Sequence, residues 1–282
     1  MPESRPSTIV IVRHAESQAN FSLSQIDEGL LPSFPSELTS LRDADVRLTE
    51  RGVAQARATG PYLAARFAPF DYCYVSPWMR TRQTFEHLLE GFPADQRARL
   101  ARSTSYDDRL REHEPGALLW LTPAEVAARY PDEARRRAIE GEYFYRPLGG
   151  ESWADVGMRL AGVLGTLYRD HPGGRVLIVT HSTVILVLRR LLQYLSEEEI
   201  LAVRKQGNAR NASITVFTHG AGAGGANPAD ETGIAGTTDE AGAHPLNHWR
   251  LDQWDYLAYG PELTSVVPDN QQRRTHPDAL TP

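Results

Sequence analysis

The sequence predicts an α/β fold with a mainly parallel central sheet flanked by helices. Short apolar runs rich in β-branched or aromatic residues, at Thr8 to Val12, Tyr72 to Val75, Arg175 to Thr180 and Ala212 to Thr218, read as strands. Long stretches of helical periodicity separate them, and such crossovers join parallel rather than antiparallel neighbours. The continuous apolar character of Thr8-Ile9-Val10-Ile11-Val12 and of Val176-Leu177-Ile178-Val179-Thr180 suits strands covered on both faces.

The first strand runs directly into Arg13-His14-Ala15-Glu16, and the strand ending at Thr180 runs into His181. Ligands in open α/β sheets bind outside the carboxyl ends of the strands, so two histidines placed there point to one reactive site. The second strand carries the only cysteine, Cys73, which has no internal disulfide partner and reads as a small core residue. From Gln96 to Leu148 the alternation breaks into helical and irregular pieces, and this segment is expected to form a cap over the strand ends. Within it, Thr122-Pro123-Ala124-Glu125 has the form of a capping box with proline at the first helical position.

Ser152-Trp153-Ala154-Asp155 marks the next helix start, followed by Trp153, Val156, Leu160, Val163, Leu164 and Leu167 at helical spacing until Gly173-Gly174. The apolar helix from Val184 to Leu195 is expected against the sheet, and Ser196-Glu197-Glu198-Glu199 opens another. Residues 219–248 are Gly/Ala-rich without periodicity, and are expected to be a flexible insertion in a single domain spanning 1–282. Gly220-Ala221-Gly222-Ala223-Gly224-Gly225 has a superficial likeness to a dinucleotide-binding loop, but Asn227-Pro228 and further glycines follow where a helix is needed. Pro245, between His244 and His248, likewise argues against a metal pair on a helix. Strand character returns from Trp249 to Leu257, an expected edge strand beside 212–218.

With 282 residues, 41% of them hydrophobic, the chain can bury a substantial core. No apolar run is long enough to span a bilayer and residues 1–7 lack signal-peptide character, so the expectation is a cytoplasmic protein with no membrane partner. A net charge of -6 argues against nucleic acid as a partner. The basic residues are almost all arginine, Lys205 being the only lysine.

Four segments then fall into order: Arg13-His14-Ala15-Glu16-Ser17-Gln18-Ala19-Asn20, Ser76-Pro77-Trp78-Met79-Arg80-Thr81-Arg82-Gln83-Thr84, Leu110-Arg111-Glu112-His113-Glu114-Pro115-Gly116, and Val179-Thr180-His181. Leu48-Thr49-Glu50-Arg51-Gly52 with Gln55-Ala56, and Gly149-Gly150-Glu151-Ser152, support them. From Ile9 to Phe217 the order and spacing resemble the histidine phosphatase superfamily, also called the phosphoglycerate mutase-like family. That resemblance implies a three-layer sandwich with a mainly parallel central sheet, plus a cap insertion. It also implies His14 as the nucleophile that becomes phosphohistidine, with Arg13, Arg80 and His181 clamping the phosphoryl oxygens and His181 acting as a charged donor. Glu112 takes the general acid/base position, with Glu114 the second candidate. Asn20 matches a phosphate-assisting position, although a turn asparagine accounts for it nearly as well. Glu16 and Glu151 are readable as site residues or as helix caps.

Such chemistry rests on positioning and fixed positive charge, and needs no metal or organic cofactor. The aromatic, glycine-containing segment that follows the first motif in cofactor-dependent mutases is absent, because Asn20 leads into Phe21-Ser22-Leu23-Ser24-Gln25. This favours phosphomonoester hydrolysis on a small phosphorylated metabolite. A phosphoglycerate mutase-type phosphoryl transferase and a noncatalytic phosphate-binding regulatory protein are the alternatives. Ala15 and Ser182 stand where the family usually has glycine. A homodimer through an edge strand is one assembly the strand pattern allows.

Overall fold

The computed structural model describes residues 5–219 and 249–264, so almost all of the Gly/Ala-rich segment 219–248 lies outside the described residues. In chain order the principal elements are β1 (Thr8–Arg13), α1 (Gln18–Asp27), α2 (Ser36–Thr39), α3 (Glu50–Phe67), β2 (Tyr72–Val75), α4 (Met79–Leu89), α5 (Ala94–Arg102) and β3 (Thr104–Tyr106). They continue as α6 (Pro123–Arg129), α7 (Pro131–Phe144), α8 (Trp153–Asp170), β4 (Arg175–Thr180), α9 (Ser182–Gln193), α10 (Glu197–Gln206), β5 (Ile214–His219) and β6 (Trp249–Tyr256). Short 3₁₀ turns lie at Asp43–Asp45, Asp108–Leu110, Gly116–Leu118 and Pro261–Leu263.

Six strands form one sheet in the order β3-β2-β4-β1-β5-β6. β3, β2, β4 and β1 are mutually parallel, while β5 runs antiparallel to β1 and β6 antiparallel to β5. The expected edge strand is therefore β6. Alternation along β1 divides the core between two layers of helices. Ile9 and Ile11 pack with Leu160, Val163 and Leu167 of α8 and with α9, while Val10 and Val12 pack with Leu63, Phe85 and Leu88 of α3 and α4. This is the three-layer α/β sandwich. Each such fully buried aliphatic side chain favours folding by roughly 1.5–3 kcal/mol before the entropy of ordering is counted.

The helix starts at Thr122, Ser152 and Ser196 all form reciprocal capping boxes, so Ser152 caps as fully as the other two. β3, by contrast, has no counterpart in the sequence reading: Thr104-Ser105-Tyr106 is short and partly exposed, and pairing with β2 defines it. Residues 94–106, at the start of the 96–148 segment, thus lead into the sheet as α5 and β3. Among the described residues, no helix is long and apolar enough to cross a membrane.

Register decides what meets at the carboxyl edge. Arg13 pairs with Thr180 across β1 and β4, and Val75 pairs with Val179 across β2 and β4. His14, His181 and Ser76 therefore leave three adjacent strands at the same level. Because β5 is antiparallel and Val12 pairs with Ile214, the start of β5 also comes to this edge.

Candidate active site

His14 and His181 face each other edge to face with ring centroids 5.1 Å apart. His14 Nδ1 lies 2.8 Å from the carbonyl oxygen of Ala15, which accepts a hydrogen bond from it, so the ring proton sits on Nδ1 and Nε2 keeps the free lone pair. The loop that carries His14 is held from several directions. Its N–H donates to Thr180 O at 2.8 Å, its carbonyl accepts from Asn211 Nδ2 at 3.1 Å, and Ala15 N–H donates to Thr84 Oγ1 at 2.9 Å.

Glu16 is a brace. Its carboxylate accepts from Thr49 Oγ1 at 2.7 Å and from Arg51, while its N–H donates to Gln55 Oε1 at 2.9 Å. Gly52 belongs to the same contact, since a Cβ there would fall 2.1 Å from Glu16 O. The Leu48–Gln55 motif thus supports the His14 loop from behind. Glu151 is similarly tied, accepting from Arg111 Nη2 at 2.6 Å and from Arg159 Nε at 2.9 Å.

Burial and the neighbouring guanidinium groups of Arg80 and Arg13 hold His14 well below the ordinary imidazole pKa of 6.5. The same causes, with His14 itself, depress His181. Burial and the adjacent guanidinium groups thus favour the neutral form of the His181 ring in the free protein. Its Nε2 lies 2.8 Å from Ser76 Oγ and its Nδ1 has no hydrogen-bond partner. When the Ser76 hydroxyl donates to Nε2, the ring proton sits on Nδ1, where a neutral N–H remains available to an incoming oxygen. Trp78 packs edge to face on the same ring at 5.1 Å.

Arg13 is buried, donates through Nη1 to Ala209 O at 2.6 Å, and keeps Nε unpartnered. Burial lowers its pKa, and the largest opposing charge is Glu112, which lies close enough to act on it through space. Glu112 sits in a loop anchored by Thr180 Oγ1 donating to Leu110 O at 2.8 Å and by Arg159 Nη2 donating to Glu112 O at 3.2 Å. Its own carboxylate accepts from His113 N–H at 2.8 Å. Glu114 is pushed up, first by burial and then by the charge of Asp43. The close seating of Gly116 and Gly150 explains the glycine motif, since a Cβ on either meets backbone at 2.2–2.4 Å.

Arg80 lies on the first turn of α4 with its guanidinium carbon 4.5 Å over the Trp78 ring. Its Nη1 donates to Asp43 Oδ1 and to Asp43 O, each at 2.7 Å. Asn20 is drawn into the cap of α1, where its Oδ1 accepts from Ser17 Oγ at 3.0 Å and Asn211 Nδ2 at 3.1 Å. The turn-asparagine account is thus filled, and only its NH₂ is left over for a ligand. Tyr143 and Tyr145 are core residues, whereas Phe144 is exposed.

His14, His181, Arg13 and Glu112 gather at the carboxyl edge with Arg80 beside them. The sequence reading missed Asp43, Asn211 and the Ala209 carbonyl, and held Ser76 only as the first residue of a motif. The antiparallel direction of β5 is the signal that places residues 209–213 at this edge; Asp43 carries no comparable signal.

Residues 9–226 match the family described as the histidine phosphatase superfamily (branch 1). The 2,3-bisphosphoglycerate-dependent phosphoglycerate mutase of Methylobacterium radiotolerans is 32% identical over 194 residues, covering 68% of this chain and 82% of the mutase. The phosphoglycerate mutase-like protein AT74H of Arabidopsis thaliana is 33% identical over 175 residues, covering 58% of this chain and 54% of its own. Among solved structures, a mycobacterial glucosyl-3-phosphoglycerate phosphatase superposes with a TM-score of 0.60 at 25% identity, covering 88% of this chain and 98% of that one. The α-ribazole phosphatase of Shigella flexneri shares the fold, with a TM-score of 0.61 at 17% identity over 90% of this chain and 98% of its own. The chain, with His14 and His181 meeting at the carboxyl edge of its sheet, belongs to the histidine phosphatase superfamily, branch 1.

Proposed function

We propose that this protein hydrolyses phosphomonoesters through a phosphohistidine on His14, and that its substrate is a small phosphorylated metabolite. The observation that carries this reading is the state of His14: a neutral ring with Nδ1 held by Ala15 O and Nε2 left as the nucleophile, beside two guanidinium groups. A neutral imidazole attacks without further activation, and the guanidinium groups stabilise charge on the equatorial oxygens of a loose transition state.

In the first step His14 Nε2 forms a bond to phosphorus as the P–O bond to the leaving group breaks. Glu112 gives its proton to the departing oxygen. In the second step water attacks the phosphohistidine, Glu112 takes its proton, and the N–P bond breaks to release inorganic phosphate and neutral His14. Arg13, Arg80 and the Nδ1–H of His181 bind the phosphoryl oxygens, and Asn20 has its amide available for the same purpose. Glu114 is the second carboxyl able to hold a proton, because burial and Asp43 raise its pKa.

The mutase reading has its own support in the named relatives, since the mutase of Methylobacterium radiotolerans is 32% identical to this chain and the mycobacterial phosphatase 25%. Against it stands the segment after the first motif, which forms α1 from Gln18–Asp27 rather than a glycine-containing loop. The test is phosphate release from a panel of phosphorylated metabolites in EDTA, with wild type and His14→Ala side by side, together with an assay for phosphoryl movement within phosphoglycerates. Release by wild type alone supports hydrolysis at His14. Movement of phosphoryl groups without release supports the mutase, and turnover that survives His14→Ala removes the mechanism.

A further inference from the structure

We propose that Asp43 is an intramolecular competitor for the phosphoryl group: it occupies Arg80 in the free protein, must be displaced by substrate, and returns to expel product phosphate. This rests on the reading of Arg80 as a phosphate ligand.

Displacement follows from occupancy. Arg80 is 4% exposed and its Nη1 is committed to Asp43, through the carboxylate and the carbonyl, so a phosphoryl group takes that donor only if Asp43 gives way. The Asp43–Asp45 turn is the element whose removal frees the needed donors. Asp43 places Oδ1 2.7 Å from Arg80 Nη1 and Oδ2 3.4 Å from Nη2, the fork arrangement that two phosphoryl oxygens would take. None of the three residues of that turn is fully buried, and Arg42 clasps Asp45 at 2.6 and 2.8 Å, so the turn can shift as a unit without opening the core.

Arg80 itself would stay. It is seated over Trp78 at 4.5 Å, on a helix anchored by buried Thr81, Thr84 and Phe85. Its Nε is buried without a partner, so the guanidinium has donor capacity beyond what Asp43 uses. The loop before the turn is clipped by Trp120, which donates through Nε1 to Leu41 O at 3.4 Å and packs edge to face on Phe34 at 5.3 Å. Trp120 holds a left-handed φ of 62°, a strained conformation for a bulky residue, at the point where the clip is made. The charges of Glu114 and Asp43 act on each other through space, and their repulsion favours outward movement of Asp43 once a phosphoryl group has taken Arg80.

The consequence is a common reduction in affinity for every ligand that needs Arg80, substrate and product alike, because the competent state is only a fraction of the population. Asp43→Asn separates this role from positioning. Asparagine keeps an oxygen toward Nη1, and the backbone carbonyl acceptor at 2.7 Å is untouched, so Arg80 stays in place while the competing charge is gone. The expected result is a dissociation constant for inorganic phosphate about tenfold tighter than wild type, the effect of removing one charged hydrogen-bonded partner. KM for p-nitrophenyl phosphate falls in parallel, whereas kcat stays level or drops as product release slows.

Asp43→Ser, which withdraws the side chain, is the second variant and has the same expected outcome. Phosphate binding that is unchanged or weaker in both folded variants overturns the competitor role and leaves Asp43 as a positioning residue. Wild-type protein that neither binds phosphate nor releases it from the ester overturns the reading of the site, and the role of Asp43 with it.

Discussion

The His14 wall of the site is braced by groups from four separate parts of the fold, whereas the Arg80 wall is closed by one three-residue turn. Thr180 of β4, Thr84 of α4, Gln55 of α3 and Asn211 before β5 each hold the 14–16 loop at 2.8–3.1 Å. On the other side the Asp43 turn meets Arg80 through a carboxylate and a carbonyl. The difference separates two duties in the proposed site: the proposed nucleophile is kept in one geometry, while the carboxylate on Arg80 takes the place that the proposal gives to a phosphoryl group. Preorganisation is concentrated where bonds are made.

The sharpest break in this comparison is His14→Ala. It is expected to abolish hydrolysis, measured as phosphate release, while the urea midpoint changes little, because the loop's backbone contacts remain. Gly52→Ala strikes the brace instead. A Cβ 2.1 Å from Glu16 O must push the loop or the helix, so about 1–3 kcal/mol of stability is lost in urea unfolding, and kcat falls with it. Unchanged kcat in a folded Gly52→Ala protein would show that the brace does not position His14.

Glu112→Gln is expected to cost little with aryl phosphates, whose leaving groups need no proton, and much more with alkyl phosphates. If Glu114→Gln shows that dependence and Glu112→Gln does not, the acid is Glu114. A smaller effect comes from pH. His14 and His181 are neutral when folded and take up protons below about 6.5 when unfolded, so stability falls as pH drops from there toward their depressed folded values. The slope approaches about 1.4 kcal/mol per pH unit for each ring. Urea midpoints at pH 7 and 5 should therefore draw closer together in His14→Ala than in wild type. The smallest effect belongs to the exposed Arg42–Asp45 pair, whose loss through Arg42→Ala should leave Tm unchanged.

Much of the site was readable in the chain because its parts sit at strand ends. Apolar runs identify β1 and β4 without tertiary information, and the residues that follow them, Arg13-His14 and His181, inherit a position at the carboxyl edge. Helix starts were equally readable, since a capping box is a contact between residues three apart. The loop before β5 was harder, because Asn211 reaches His14 only when β5 runs antiparallel to β1. β3 was invisible, as Thr104-Ser105-Tyr106 is a strand through its partner rather than through its own pattern.

By itself the sequence determined the α/β layering and the two histidines at neighbouring strand ends, because local periodicity and short-range capping are enough to specify them. Tertiary structure alone decided the depressed basicity of His181, the bracing duty of Glu16, the commitment of Asn20 to a cap and the meeting of Asp43 with Arg80. Each of those depends on burial and on charges brought together from distant parts of the chain, and neither quantity is written in a residue's neighbours along the backbone.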